Sequence, residues 1–166
     1  MFNRIGIETY FIAAVTALAM PQLALAESGT YEAVYAFVTN YVSFEHNNGM
    51  VTSGSNRGTS TVIDSTGGLF VKGQSSAQEC AILASKTSAG INLDSLCTAT
   101  DASGDKLFQH GIRRAGEATQ GSAPGTSEIV AGTGKYIGIT GRCSYTVQFV
   151  PENRGVATLK CQWQKP

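Results

Sequence analysis

Four cysteines constrain this chain more than any other feature, because each finds a partner by simple symmetry. Cys80 and Cys97 have their midpoint at 88.5, inside the turn-like stretch KTSAGIN. Cys143 and Cys161 are centred on Glu152, in the middle of VPENRGV. If the chain folds back about each turn, the two cysteines of a pair face one another across an antiparallel ladder. Opposite Cα atoms there lie ~4.5–5.5 Å apart, within the reach of a disulfide. The spacing therefore predicts Cys80–Cys97 and Cys143–Cys161, out of the connectivities open to four cysteines. A zinc site would need closely spaced C-x-x-C pairs, whereas the intervals here are 17, 46 and 18 residues. No C-x-x-C redox motif occurs either. Two structural disulfides, no metal and no cofactor are expected.

Disulfides imply an oxidising compartment, and the N-terminus agrees. Arg4 gives a positive start, residues 10–20 are largely apolar, Pro21 interrupts them, and Ala24-Leu25-Ala26 presents small residues where a signal peptidase reads. Residues 1–26 are expected to be a cleaved secretory signal, with residues 27–166 forming one domain in the periplasm or outside the cell. An apolar run this short cannot span ~30 Å of hydrocarbon, so no integral membrane segment is expected after cleavage. No cysteine follows Ala26, so nothing suggests a lipid anchor. Removing Arg4 and Glu8 from twelve basic and twelve acidic residues leaves eleven of each. That balance argues against nucleic acid and against docking on an anionic membrane. The adjacent Arg113 and Arg114 read as two solvated strand residues.

The rest of the chain reads as strands and tight turns. Residues 30–43, TYEAVYAFVTNYVS, form a first long strand, and HNNGM turns; whether residues 40–60 make two strands or one bent strand is left open. NRGTSTVID, LFVKG, ECAILASK, INLDSLCTATD, KLFQHGIRRAG and TSEIVAG follow as strands, and the last hairpin joins residues 139–150 to 156–163. In that hairpin Cys143, Tyr145, Val147 and Phe149 alternate with polar residues, as do Ala157, Leu159, Cys161 and Trp163. A period of two means one dry face and one wet face, and the disulfide belongs to the dry one. The fold expected is all-β: an antiparallel meander of about eight strands closed into a barrel, since closure removes exposed edges. A transmembrane barrel would reverse the polarity, with an apolar exterior and a polar lumen.

Residues 128–145, EIVAGTGKYIGITGRCSY, test the alternative of a phosphate loop. A P-loop needs glycine at Ile129 and Ser or Thr at Tyr136, and a dinucleotide fingerprint needs glycine at Ile137. The glycines fit a barrel corner instead, with Gly132-Thr133-Gly134 turning the chain, Tyr136 and Ile137 filling the core, and Gly138 and Gly141 bending the next strand. This stretch resembles the Gly-Thr-Gly-Lys-aromatic-x-Gly-x-x-Gly segment of allene oxide cyclase-like and dirigent-like barrels, in particular small exported bacterial ones. CTATDASGDKLF, residues 97–108, resembles a Cys-x-x-Asp-x-x-Gly-Asp hairpin of the same group with one extra residue. The resemblance implies an eight-stranded antiparallel barrel with a central cavity. Plant members bind hydrophobic or phenolic molecules there and steer ring closure or coupling. Their functional residues lie outside the matched stretch, so no role is carried over.

Candidate chemistry is sparse. Asp101, Ser103 and Asp105 occupy calcium-loop positions 1, 3 and 5, but Lys106 stands where glycine is needed and Ile112 where an acid is, so a hairpin turn is the reading. His46 sits in a polar turn. His110 lies between Phe108 and Ile112 on a face read as apolar; with Asp64, Glu79 or Glu128 it is the candidate proton-transfer pair for catalysis in a cavity. Tyr35, Phe37, Tyr145, Phe149 and Trp163 are candidate cavity-lining aromatics, although an eight-stranded barrel can equally be filled by its own side chains. The functions expected are binding of a small hydrophobic molecule or a partner protein, or a cofactor-free isomerase or cyclase acting on an apolar substrate.

Overall fold

The computed structural model describes residues 26–116 and 123–166. The expected signal lies outside these residues, apart from Ala26. Eight strands run in order: β1 (Glu27–His46), β2 (Gly49–Ser65), β3 (Ser75–Thr87), β4 (Gly90–Asp101), β5 (Lys106–Arg113), β6 (Ala123–Gly132), β7 (Thr140–Val150) and β8 (Arg154–Lys165). Each pairs antiparallel with the next, and β1 also pairs with β8, so the sheet closes into a barrel. Every interior ladder is thereby satisfied without a free lateral edge over the paired length.

The turns follow from their residues. β1 and β2 are two strands, joined by Asn47 and Asn48 at φ 46° and 59°. Positive φ at both central positions is the primed turn that matches strand twist, and asparagine tolerates it. Both disulfides form with the connectivity that the hairpin symmetry predicts, Cys80 opposite Cys97 and Cys143 opposite Cys161.

Period-two alternation sets the two faces of the wall. Tyr31, Ala33, Tyr35 and Phe37 of β1 point inward, as do Ala157, Leu159, Cys161 and Trp163 of β8. The outer wall carries ion pairs: Lys160–Glu32 at 2.8 Å, Arg57–Glu79 at 3.3 Å and Arg142–Glu128 at 3.3 Å. These charged pairs interrupt the outer surface, which is not the unbroken apolar band of a membrane barrel.

One end of the barrel is filled. The β2–β3 loop turns inward, and its Phe70 stacks on Tyr31 at 3.9 Å and meets Tyr136 at 5.6 Å and Trp163 at 5.8 Å. The segment LFVKG, expected as a strand, is this plug: Gly67, Gly68 and Gly73 take φ of 99°, 72° and 87°, which turn the chain out of the ladder on both sides of Phe70. The glycine-rich corner completes the seal as a single 3₁₀ turn, Gly134–Tyr136. Here Ile137 is 63% exposed, contrary to expectation, while Ile139 is 1% exposed and fills the core beside Tyr136.

The two stretches that carry the family resemblance meet at this end. Lys135 Nζ lies 2.6 Å from Asp101 Oδ2, and the Lys135 backbone N–H donates to Asp105 Oδ2 at 3.2 Å. Asp101 also accepts backbone N–H bonds from Ser103 at 2.8 Å and Asp105 at 3.1 Å. Its oxygens are thus occupied by a turn and a lysine, the hairpin role rather than a calcium loop. Gln74 donates to the Tyr136 hydroxyl at 2.9 Å, which donates on to Asp101 at 3.3 Å.

Candidate functional site

Above this seal the barrel is hollow. The inward positions of the closed end hold large aromatics, whereas Thr39, Ser43, Thr52, Ser95, Gly111 and Ser127 point into the other end. Small side chains cannot fill a cross-section of eight strands. A cavity of about 630 Å³ results, opening between the β1–β2, β3–β4 and β7–β8 turns. Its floor is the layer of Gln78, Gln109 and Leu159, beneath which only a void of about 30 Å³ remains before the plug.

Four of the five aromatics expected around a cavity line this one: Tyr35, Phe37, Tyr145 and Phe149, the last near the mouth. Trp163 does not. It lies in the filled end against Phe70, because the cavity occupies only the opposite half of the barrel. The Cys80–Cys97 disulfide lines the cavity wall, while Cys143–Cys161 is buried in the core.

His110 faces away from the cavity. On β5 the inward side chains are Leu107, Gln109, Gly111 and Arg113, so His110 stands on the outer wall, where Nε2 is 3.3 Å from Asp94 Oδ1. Asp94 also binds Arg114 at 3.2 Å; that bond is the main reason its pKa is lowered. The proposed carboxylate partners are outside as well: Glu79 on Arg57, Glu128 on Arg142, and Asp64 exposed to solvent. The expected proton-transfer pair therefore does not meet inside the barrel. His46 ends β1 in an exposed position beside the turn.

Arg113 reverses the other expectation for β5: it is buried and lines the cavity, with Nε donating to Pro124 O at 3.0 Å. Lys86, Glu152 and Arg154 also line the cavity, beside its mouth, and the other polar groups of its wall are neutral. Tyr35 donates to Gln78 O at 3.2 Å and Tyr41 to Asn56 Oδ1 at 2.5 Å, and burial raises both hydroxyl pKa values. They are phenols, not phenolates, across the physiological range.

Sequence reasoning missed Asn56, Gln78, Gln109 and Arg113. The signal for β5 was available in the cysteines. Cys97 must face inward, and a β4–β5 turn centred on Ser103 sets Cys97 opposite Gln109, as observed. Gln109 and Arg113 are then inside and His110 outside. Gln78 follows similarly, two residues before Cys80 on the same strand.

No family model matches the sequence, and no curated protein is recognisably similar to it in sequence. In structure the chain is similar to a pterocarpan synthase dirigent protein, with a TM-score of 0.50 at 12% identity, over 90% of this chain and 98% of that one. At such low identity the likeness is one of fold. The chain is a closed, disulfide-bonded, dirigent-like β-barrel.

Proposed function

We propose that this protein is exported and binds one small, largely apolar molecule inside its barrel. The observation that carries the reading is the open cavity of about 630 Å³, which falls within the ~300–1,000 Å³ of small-molecule sites. Its wall combines aromatic and aliphatic side chains with a few convergent polar groups, the usual make-up of such sites. The two disulfides support an oxidising, exported setting. The alternative, a cofactor-free isomerase or cyclase, would have to work through Arg113, the tyrosine hydroxyls or the charged residues Lys86, Glu152 and Arg154 at the mouth, because His110 and its carboxylates face outward.

A neutral fluorescent apolar probe, N-phenyl-1-naphthylamine, tests the reading. The oxidised protein is expected to bind it saturably at one site. Replacing Ala84, half-buried in the cavity wall, by tryptophan is expected to weaken that binding at least about tenfold, an effect of ~1.4 kcal/mol. Unsaturable binding, or an Ala84→Trp variant that binds as well as the parent, would overturn it.

A further inference from the structure

Three primary amides converge on the cavity beside the Cys80–Cys97 disulfide. Asn56, Cys80, Cys97 and Gln109 are successive cross-strand partners on β2, β3, β4 and β5, and Gln78 lies two residues before Cys80. Asn56, Gln78 and Gln109 are 9%, 5% and 5% exposed, and all three line the cavity. The Asn56 oxygen accepts from the Tyr41 hydroxyl, and Gln109 hydrogen-bonds the Tyr31 hydroxyl on the side away from the mouth.

Two of the nitrogens meet sulfur. Gln78 Nε2 reaches Cys80 Sγ at 3.7 Å and Gln109 Nε2 reaches Cys143 Sγ at 3.8 Å. Sulfur is a weak acceptor, and each amide nitrogen has two hydrogens to place. Among the described residues no oxygen accepts from Asn56 Nδ2. Donors that line the cavity with only sulfur or no protein oxygen as partner gain from a ligand that brings an oxygen to them.

The charge of that group follows from the surroundings. The amide cluster sits at the floor, and the nearest lining cation on the same strand, Arg113, is four residues nearer the mouth, ~13 Å along β5. Burial also disfavours ionised tyrosines in this interior, and it would penalise any other anion at the floor in the same way.

We propose that Asn56, Gln78 and Gln109 form an acceptor-selecting floor, so that the ligand is an uncharged apolar molecule that enters carbonyl oxygen first. This rests on the binding function proposed above and names the ligand class for the same cavity. The three amides are the specificity-determining residues, and the aromatic wall holds the apolar remainder.

A matched pair of ligands tests it: 2-acetylnaphthalene and 2-ethylnaphthalene, each competed against N-phenyl-1-naphthylamine. A merely greasy pocket prefers the ethyl compound, since the ketone loses hydration on entry. The wild-type protein is expected to bind the ketone about tenfold more tightly. In Gln78→Met/Gln109→Met, which keeps side-chain length without the donors, the preference is expected to reverse. Wild-type protein that binds the ethyl compound as tightly as the ketone overturns the proposal while leaving the cavity function standing. That comparison needs no variant, so it holds whether or not the double variant folds. Failure of the reporter itself to bind overturns the cavity function, and the floor proposal with it.

Discussion

Asp101 is 2% exposed in its side chain and carries a formal charge, so its partners decide whether the closed end of the barrel holds. Burial alone would raise its pKa. The Lys135 bond and the backbone N–H groups of Ser103 and Asp105 outweigh that and hold it below the ordinary 3.8. A carboxylate with a depressed folded pKa contributes stability that is complete above the unfolded value and is lost as pH falls through the folded one. Urea midpoints are therefore expected to be independent of Asp101 above about pH 5 and to fall in more acid solution, and Asp101→Asn should flatten that acid limb. Lys135→Met leaves the carboxylate buried without its cation. Because Lys135 is itself about a third exposed, a loss of about 2–3 kcal/mol is expected, near the lower end for broken buried pairs. Gly134 belongs to the same cluster. It has φ +53°, and a Cβ there would lie 1.7 Å from Asp105 Oδ1. Gly134→Ala is expected to destabilise by about 2 kcal/mol, read from the same urea curves. A smaller loss than about 0.5 kcal/mol would mean that the Asp105–Lys135 contact is not held rigidly.

Among the elements, the two disulfide hairpins look alike in sequence and differ in what lies behind them. Their sequence separations are 17 and 18 residues, so the entropic contribution of each is about 3 kcal/mol. Cys143 and Cys161 sit in the packed core, whereas Cys80–Cys97 borders space that is already open. Thermal denaturation is expected to show a larger loss for Cys143→Ala/Cys161→Ala than for Cys80→Ala/Cys97→Ala, because only the former opens a new void. β1 is uneven in another way. Its pairing with β8 ends at Val38, opposite Arg154, with a last bond from Thr39 N–H to Asn153 O at 2.7 Å; residues 40–46 then pair with β2 alone. Hydrogen exchange is expected to be faster in residues 40–46 than in residues 31–37, which are paired on both sides. Equal protection along the whole strand would show that another chain or segment covers this edge.

At the scale of the molecule the barrel divides into a packed half, which supplies stability, and a hollow half. Phe70 joins the loop plug to Tyr31, Tyr136 and Trp163, so Phe70→Ala is expected to cost about 3–5 kcal/mol and to shift the emission of Trp163, the single tryptophan. The cavity lies beyond the Gln78–Gln109–Leu159 layer. In Phe70→Ala its affinity for N-phenyl-1-naphthylamine, measured below the unfolding transition, is expected to change less than about fivefold (~1 kcal/mol), because Phe70 reaches the floor only through Tyr31 and Gln109. A large change would mean that the two halves are mechanically coupled through the floor.

The strands, their turns and the disulfide partners were legible in the sequence because all of them rest on local physics. Alternation with period two, turn residues suited to positive φ, and cysteines equidistant from a turn need only a hairpin to be read. The phase of β5 needed more. KLFQHGIRR has apolar residues on both faces, Leu107 on one and Phe108 and Ile112 on the other, so alternation alone allows either phase. Pairing with Cys97 sends Gln109 and Arg113 inward and turns His110 out to Asp94. The plug was likewise hidden, since LFVKG, with three apolar residues in a row, reads as a strand until the glycines around it are seen to lead Phe70 under the barrel. Whether the interior is filled depends on which inward residues share a level. That is set by the registers of eight tilted strands together, a long-range property that no short window of sequence contains.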